Sequence, residues 1–322
     1  MYSAIITGVT GQDGSYMLEL LLSKGYKVYG ITRRSSTDTS ERIKGVLHHP
    51  NFELIFGDIT SGIDTLIYEI KPDLLINLAA MSHVRVSFDV PVYTMDTNTV
   101  AVARMLEAIR KSGYKNNIRF YQASSSEMFG LTPAPQSEAS VFMPCSPYGV
   151  AKVASYWLVR TYRAGYNMFA SNGILFNHES PRRGEFFVTK KIVRTAVRIK
   201  LGLENELILG NLEARRDWGH SKDYMKAIYK IMTHSVPDDF VVATGEYYSV
   251  KDFLEKVFLY LDMRWEDYVR FDSRLTRPQE VPELMGDPSK IKKVLNWEPQ
   301  IKIDELVTEM VDSVMKEEKC RL

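Results

Sequence analysis

The chain has 322 residues, 45% of them hydrophobic and 25% charged, enough for one elaborated α/β unit or for two domains sharing a cleft. With 41 basic residues against 40 acidic, the net charge of +1 gives no reason to expect nucleic acid or an anionic membrane as partner. Two cysteines in no metal-ligand spacing, Cys145 and Cys320, suggest one inert thiol and one in a loose tail. No apolar run approaches a membrane span and no secretion signal precedes the first strand, so a cytoplasmic protein is the expectation.

Short β-branched runs predict strands near residues 2–7, 27–32, 53–57, 73–78, 118–123, 169–176 and 240–243. Helical patterns fall between them, as from Gly14 to Lys24 and from Val100 to Ser112. This alternation implies right-handed crossovers and a Rossmann-like, doubly wound parallel sheet. From residue 177 the pattern loosens, and the apolar run 240–243 returns within it. The expected division is a dinucleotide-binding domain of residues 1–176 plus about 211–245, interleaved with a smaller substrate domain of 177–210 and 246–322. The closing helix, about Ile303 to Glu318, is amphipathic and should pack on the second domain.

The first strand runs into Gly8-Val9-Thr10-Gly11-Gln12-Asp13-Gly14 and then a helix. Glycines at such a turn let backbone approach a pyrophosphate, and the helix N-terminus adds free N–H donors and a positive dipole end. The second strand ends in Arg33-Arg34-Ser35-Ser36, where an acid would select NAD and an arginine accommodates a 2′-phosphate. NADP is therefore the expected cofactor, a solvated basic loop being the alternative. Asp58 and Ile59 follow the third strand at the adenine end, and Leu78, Ala79 and Ala80 end the fourth with small side chains.

Tyr148 and Lys152 stand four apart on a helix begun by Pro147, one turn apart on one face. A phenol of ordinary pKa about 10 is a poor base at neutral pH. A lysine ammonium and a positive nicotinamide ring beside it would favour the phenolate. Ser125 and Glu127 follow the fifth strand, beyond whose carboxyl end ligands of such sheets bind. Ser125 suits a hydrogen bond to the substrate oxygen that Tyr148 deprotonates, and Glu127 suits proton transfer at a neighbouring carbon. His83, His178 and His220 fit no metal-ligand motif. Trp157, Trp218 and Trp297 read as packing anchors, with a ligand role left open for Trp218 beside Arg216.

With Gly8-x-x-Gly11-x-x-Gly14 and the Ser125/Tyr148/Lys152 set, the chain resembles the extended short-chain dehydrogenase/reductase superfamily. Within it, the segments Arg33-Arg-Ser-Ser36, Asn177-His-Glu-Ser-Pro-Arg-Arg183 and Arg216-Asp-Trp-Gly-His220 are similar to the GDP-mannose 4,6-dehydratases. The resemblance implies a homodimer or homotetramer in which the Arg33–Ser36 loop reaches a neighbouring subunit's cofactor. It implies catalytic roles for Ser125, Glu127, Tyr148 and Lys152. It adds Ser82, Tyr93, His178 and Arg183 to the cofactor contacts, and places Ser82, Asn177, Lys191, Arg216, Arg277 and Glu280 at the nucleotide sugar. The implied reaction converts GDP-mannose to a 4-keto-6-deoxy sugar and water.

Several residues depart from the family's pattern. Ser125 stands for a usual threonine, Met81 for glutamine, Phe129 for tyrosine, and Leu275 and Thr276 for aromatics. The rival readings are a C4 epimerase or 4-keto reductase, which need only the Ser/Tyr/Lys set, and a cofactor-sensing module without turnover. Glu127 distinguishes the first pair, and retention of the whole catalytic set opposes the second.

Overall fold

The computed structural model describes residues 1–272 and 279–322. Apolar, β-branched runs form the strands β1 (Ser3–Thr7), β2 (Lys27–Thr32), β3 (Phe52–Phe56), β4 (Leu74–Asn77), β5 (Arg119–Ser125) and β6 (Ala170–Leu175). The small strands β7 (Asn177–Glu179), β8 (Leu207–Leu209), β9 (Arg215–Arg216) and β10 (Trp218–His220) follow, before β11 (Asp239–Val242). Seven of these make one parallel sheet in the order β11-β6-β5-β4-β1-β2-β3. The order reverses between β1 and β4, which opens a crevice at the carboxyl ends of the central strands. The central strands are buried on both faces, which is why they read as near-continuous apolar runs.

Helix α1 (Gln12–Ser23) lies on one face of this sheet with α8 (Ser221–Thr233), burying Met17, Leu21, Ile228 and Ile231. Helices α2 (Ile63–Ile70), α5 (Ala101–Lys111) and α6 (Pro147–Tyr166) contribute Ile67, Met105 and Val159 to the core on the other. Between them run the short α3 (Val84–Ser87) and α4 (Pro91–Met95). A π-helical stretch, Asp96–Val100, joins α4 to α5.

A separate core gathers α7 (Val188–Lys200), α9 (Val250–Tyr260) and α11 (Ile303–Lys319) around Ile192, Phe253, Leu306 and Met310. The packing of α11 against α7 and α9 matches the amphipathic pattern of that segment. Two-residue strands β9, β12 (Tyr248–Ser249) and β14 (Glu283–Leu284) form a small sheet, and β13 (Val269–Phe271) pairs with β8. Helix α10 (Ser289–Leu295) returns to the main sheet, where Ile291, Leu295 and Trp297 join the core under α1 and α8. The Trp297 indole donates to Asp223 O at 3.0 Å, which pins the return. Residues 289–297 thus pack with the sheet although the sequence pattern groups them with the second domain, while β9 leaves the sheet for β12 and β14.

Cys145 is buried and Cys320 exposed. Phe129 is fully buried against Phe142 and Phe176, an apolar nest in which a phenol would need a new partner. Both backbone polar groups of Met81 are held by the Asn98 amide, so the backbone course here is fixed by Asn98, not by the side chain at 81. Leu275, Thr276 and Arg277 lie outside the described residues. No helix among the described residues is long and apolar enough to cross a membrane.

Candidate active site

Two adjoining cavities occupy the crevice. The first, of about 1050 Å³, begins at the turn after β1. Gly8 has φ +69°, open to glycine and strained for other residues, and a Cβ there would meet Ala79 backbone at 3.0 Å. At Gly14 a Cβ would stand 2.2 Å from Gly8 O, so only glycine lets α1 start this close to the turn. No side chain caps α1, which leaves its first N–H groups directed at the cavity wall formed by Gly11, Gln12, Asp13 and Gly14.

Arg33, Arg34 and Ser35 line the far end, and Arg33 donates to the Tyr93 hydroxyl across the rim. Asp58, Ile59, Leu78, Ala79, Ala80 and Ser82 complete the predicted set on this cavity, together with Thr10. Arg42 also lines it, donating to Arg182 O at 2.8 Å. It sits in a short 3-10 turn, Glu41–Val46, outside any recognised motif, and sequence reasoning passed over it.

The second cavity, of about 470 Å³, holds Ser125, Glu127, Tyr148 and Lys152. Ser146 caps α6 by accepting from Gly149 N at 3.0 Å, and Tyr148 N donates to Ser87 Oγ, so the first turn is fixed from both sides. The Ser125 hydroxyl hydrogen-bonds the Tyr148 phenol and also accepts from Glu127 N at 3.2 Å. One hydroxyl thereby meets the phenol and fixes the backbone from which Glu127 projects.

Burial pushes the Tyr148 phenol up to about 12 and the Lys152 amine down to about 8. The lysine spends a hydrogen bond of 2.7 Å on Ala123 O and lies 5.6 Å from the tyrosine ring centroid. The lysine charge thus stands over the tyrosine ring while its hydrogen bond goes to the strand. Ser125 and the Arg183 charge are what oppose burial at the phenol.

Asn177, Lys191, Arg216, Glu280 and Ser82 line the second cavity as well, and Arg277 falls outside the described residues. Trp218 is buried, its ring against Phe253, yet borders the same cavity. Lys191 donates to Ile208 O at 2.6 Å. Sequence reasoning did not single out Glu179, Phe186, Phe187 or Thr189, all of which border the cavity.

His178 is placed differently from a simple cofactor contact. Its Nδ1 lies 2.7 Å from Phe176 O and its Nε2 lies 2.8 Å from Asp13 Oδ2. A carbonyl and a carboxylate only accept, so both ring nitrogens donate and the ring is an imidazolium. Burial alone would lower the imidazole, but Asp13 outweighs it and the pKa rises. Burial likewise opposes ionisation of Asp13, and His178 and Ser221 override it, taking the carboxyl from an ordinary 3.8 to about 2. Gln12 is equally engaged, donating to His178 O and accepting from Ser180 Oγ. The side chains of Gln12, Asp13 and His178 thus tie the turn to β7, and the backbone of the turn is what faces a ligand. Among the described residues no group of three or more His, Cys, Asp or Glu is arranged to hold a metal.

A family model described as GDP-mannose 4,6 dehydratase matches residues 5–310. The chain is 50% identical to GDP-mannose 4,6 dehydratase 2 of Arabidopsis thaliana over 319 residues, covering 96% of this chain and 86% of the relative. It is 47% identical to the human GDP-mannose 4,6 dehydratase over 334 residues, covering 96% and 90%. In fold it is similar to dTDP-glucose 4,6-dehydratase of Bacillus anthracis, solved in complex with NAD, at a TM-score of 0.86 and 20% identity over 99% and 98% of the two chains. On this similarity over almost its whole length, the chain belongs to the GDP-mannose 4,6-dehydratase family.

Proposed function

We propose that this chain is an NADP-dependent hydro-lyase that converts GDP-mannose to GDP-4-keto-6-deoxymannose and water. The observation that carries the reading is a carboxylate, Glu127, sharing one buried cavity with Ser125, Tyr148 and Lys152 beside the glycine turn, its backbone N–H donating to the Ser125 hydroxyl. The turn fits a dinucleotide, since Gly8 and Gly14 leave a cradle that side chains would fill. Arg33 and Arg34 on the same cavity favour a 2′-phosphate, hence NADP.

When bound, the nicotinamide supplies hydride acceptance from C4 and hydride return to C6. Tyr148 takes the O4 proton, with Ser125 holding that oxygen in line. Lys152, amine of pKa about 8, keeps its proton at neutral pH and sets a positive charge under the phenolate. Once C4 is a ketone, C5–H is acidic. Glu127 takes that proton and passes it to the C6 hydroxyl, which leaves as water while the C5–H electron pair becomes the C5–C6 double bond; a proton from solvent returns to C5 when C6 is reduced. The cavity wall contributes position and charge, worth more here than in water because the groups are buried. Arg216 and Lys191 are suited to the diphosphate of the substrate. We assign the sheet with α10 to the cofactor and the α7/α9/α11 core to the nucleotide sugar, in a homo-oligomer with the Arg33–Ser36 loop near a neighbouring subunit.

Incubation with GDP-mannose and catalytic NADP⁺ tests the reading, with the product read by mass. Loss of one water, without net consumption of cofactor, is the expected outcome. A product of unchanged mass would make the protein an epimerase instead.

A further inference from the structure

Only two charged residues border both cavities, Asp13 and Arg183, among the described residues. Asp13 is consumed by His178 and Ser221. Arg183 is held differently. Its Nε stands 2.9 Å from Glu179 Oε2, and its Cζ lies 3.6 Å from the Phe187 ring centroid. Glu179 is buried on β7, and its Oε2 also accepts from Thr189 Oγ1 at 2.6 Å, the first turn of α7. Both ends of this clamp are therefore fixed by secondary structure. The Nε–Glu179 contact is an ion pair without hydrogen-bond alignment, so charge at Nε and the ring on one face hold the guanidinium, and its terminal nitrogens are left for other partners where the two cavities meet.

We infer that Arg183 contacts both ligands at once, one terminal nitrogen towards the dinucleotide and the other towards the nucleotide sugar, and that Glu179 is the residue positioning it. The inference rests on the proposed function for the identity of the ligands. It adds that the substrate meets Arg183 and that a carboxylate outside the catalytic set governs binding on both sides. Thr189 fixes the carboxylate, and Phe187 prevents the guanidinium from turning away. Glu179 has no part in proton transfer, because its oxygen is committed to Arg183 and Thr189.

The experiment is a set of equilibrium titrations of NADP⁺ and of GDP, each alone, on wild type, Glu179→Gln, Arg183→Ala and the double variant. Glu179→Gln keeps the shape and can still accept from Thr189, but loses the charge that holds Nε. It should weaken both NADP⁺ and GDP by about tenfold, the scale of a close buried charge pair broken at one partner. Turnover at saturating ligands should stay within about threefold of wild type, so the loss appears in KM and not in kcat. In the Arg183→Ala background the same substitution should change neither affinity, which a general structural role would not produce. Thr189→Val, with the carboxylate retained, should show the same pattern more weakly. Weakening of one ligand only, or an effect of Glu179→Gln that persists without Arg183, overturns the inference while leaving the proposed function standing. Wild-type protein that binds neither NADP⁺ nor GDP overturns the function and this inference together.

Discussion

The two cavities are built by different means. The wall of the first is mostly backbone, small side chains and a helix N-terminus, with cations at its open end. The wall of the second is made of buried titratable groups whose proton affinities are displaced, upward at Tyr148 and downward at Lys152. Backbone donors do not titrate and need no reorganisation, which suits retention of a charged cofactor through a cycle. Buried side chains with displaced pKa values suit proton transfer, and their cost in folding stability is borne where chemistry needs it. Substitutions should therefore damage cofactor binding in the first cavity, and rate where they touch Ser125, Glu127, Tyr148 or Lys152 in the second.

The largest expected effect is in the second. Glu127→Gln should lower kcat by about 10²–10⁴-fold while both ligands still bind, the range attributed to a positioned acid–base group. In deuterated water the wild-type product should carry deuterium at C5, and the variant should form that labelled product slower by the same factor. Label in the variant product at the wild-type rate would remove Glu127 from the elimination.

Next in size is Gly14→Ala, which places a Cβ 2.2 Å from Gly8 O and forces α1 away from the turn. A loss of stability of about 1–3 kcal/mol is expected from such overpacking, together with loss of NADP⁺ binding. Thermal melting with and without NADP⁺ checks both, since a variant that is destabilised yet stabilised normally by cofactor would separate the turn from binding. Arg33→Ala should weaken NADP⁺ about tenfold or more and NAD⁺ little, the 2′-phosphate being the partner proposed for this arginine. Equal losses in a titration would place the cation elsewhere.

The smallest effect is a pH dependence of stability at the join between the cavities. Asp13, lowered to about 2, contributes stability that is present above its ordinary 3.8 and lost as pH falls through the lowered value. His178, raised, contributes stability that is present below its ordinary 6.5 and lost as pH rises through the raised value. The pair is thus fully effective between about pH 4 and 6.5. His178→Gln should flatten the alkaline side of a denaturation-midpoint profile relative to wild type. An unchanged slope would show that the imidazolium carries no linkage.

What could be read beforehand follows from periodicity. The seven strands of the main sheet and the first helix are long, apolar and punctuated by glycine, so their places were visible to within a few residues. Tyr148 and Lys152 were legible as a helical spacing, and Ser125 and Glu127 as the continuation of a strand. The two-residue strands Arg215–Arg216 and Tyr248–Ser249 have no alternation to read, being fixed by pairing with segments distant in the chain. The return of α10 to the sheet rests on burial of Ile291, Leu295 and Trp297 and on bonds such as the indole to Asp223 O, contacts with distant segments that leave no local signature. The grip on Arg183 was equally hidden, because a buried Glu179 four residues earlier looks in sequence like any polar neighbour.

The links from Gln12 and Asp13 to His178, Ser180 and Ser221 have a mechanical consequence. Five side chains from three distant stretches cross-brace the floor of the crevice at the point where the glycine turn becomes a helix. A floor stitched in this way resists separation at the base of the crevice. Ligand exchange is therefore expected by displacement at the rim, where Phe186 stands 87% exposed and the Arg33–Tyr93 contact spans the opening.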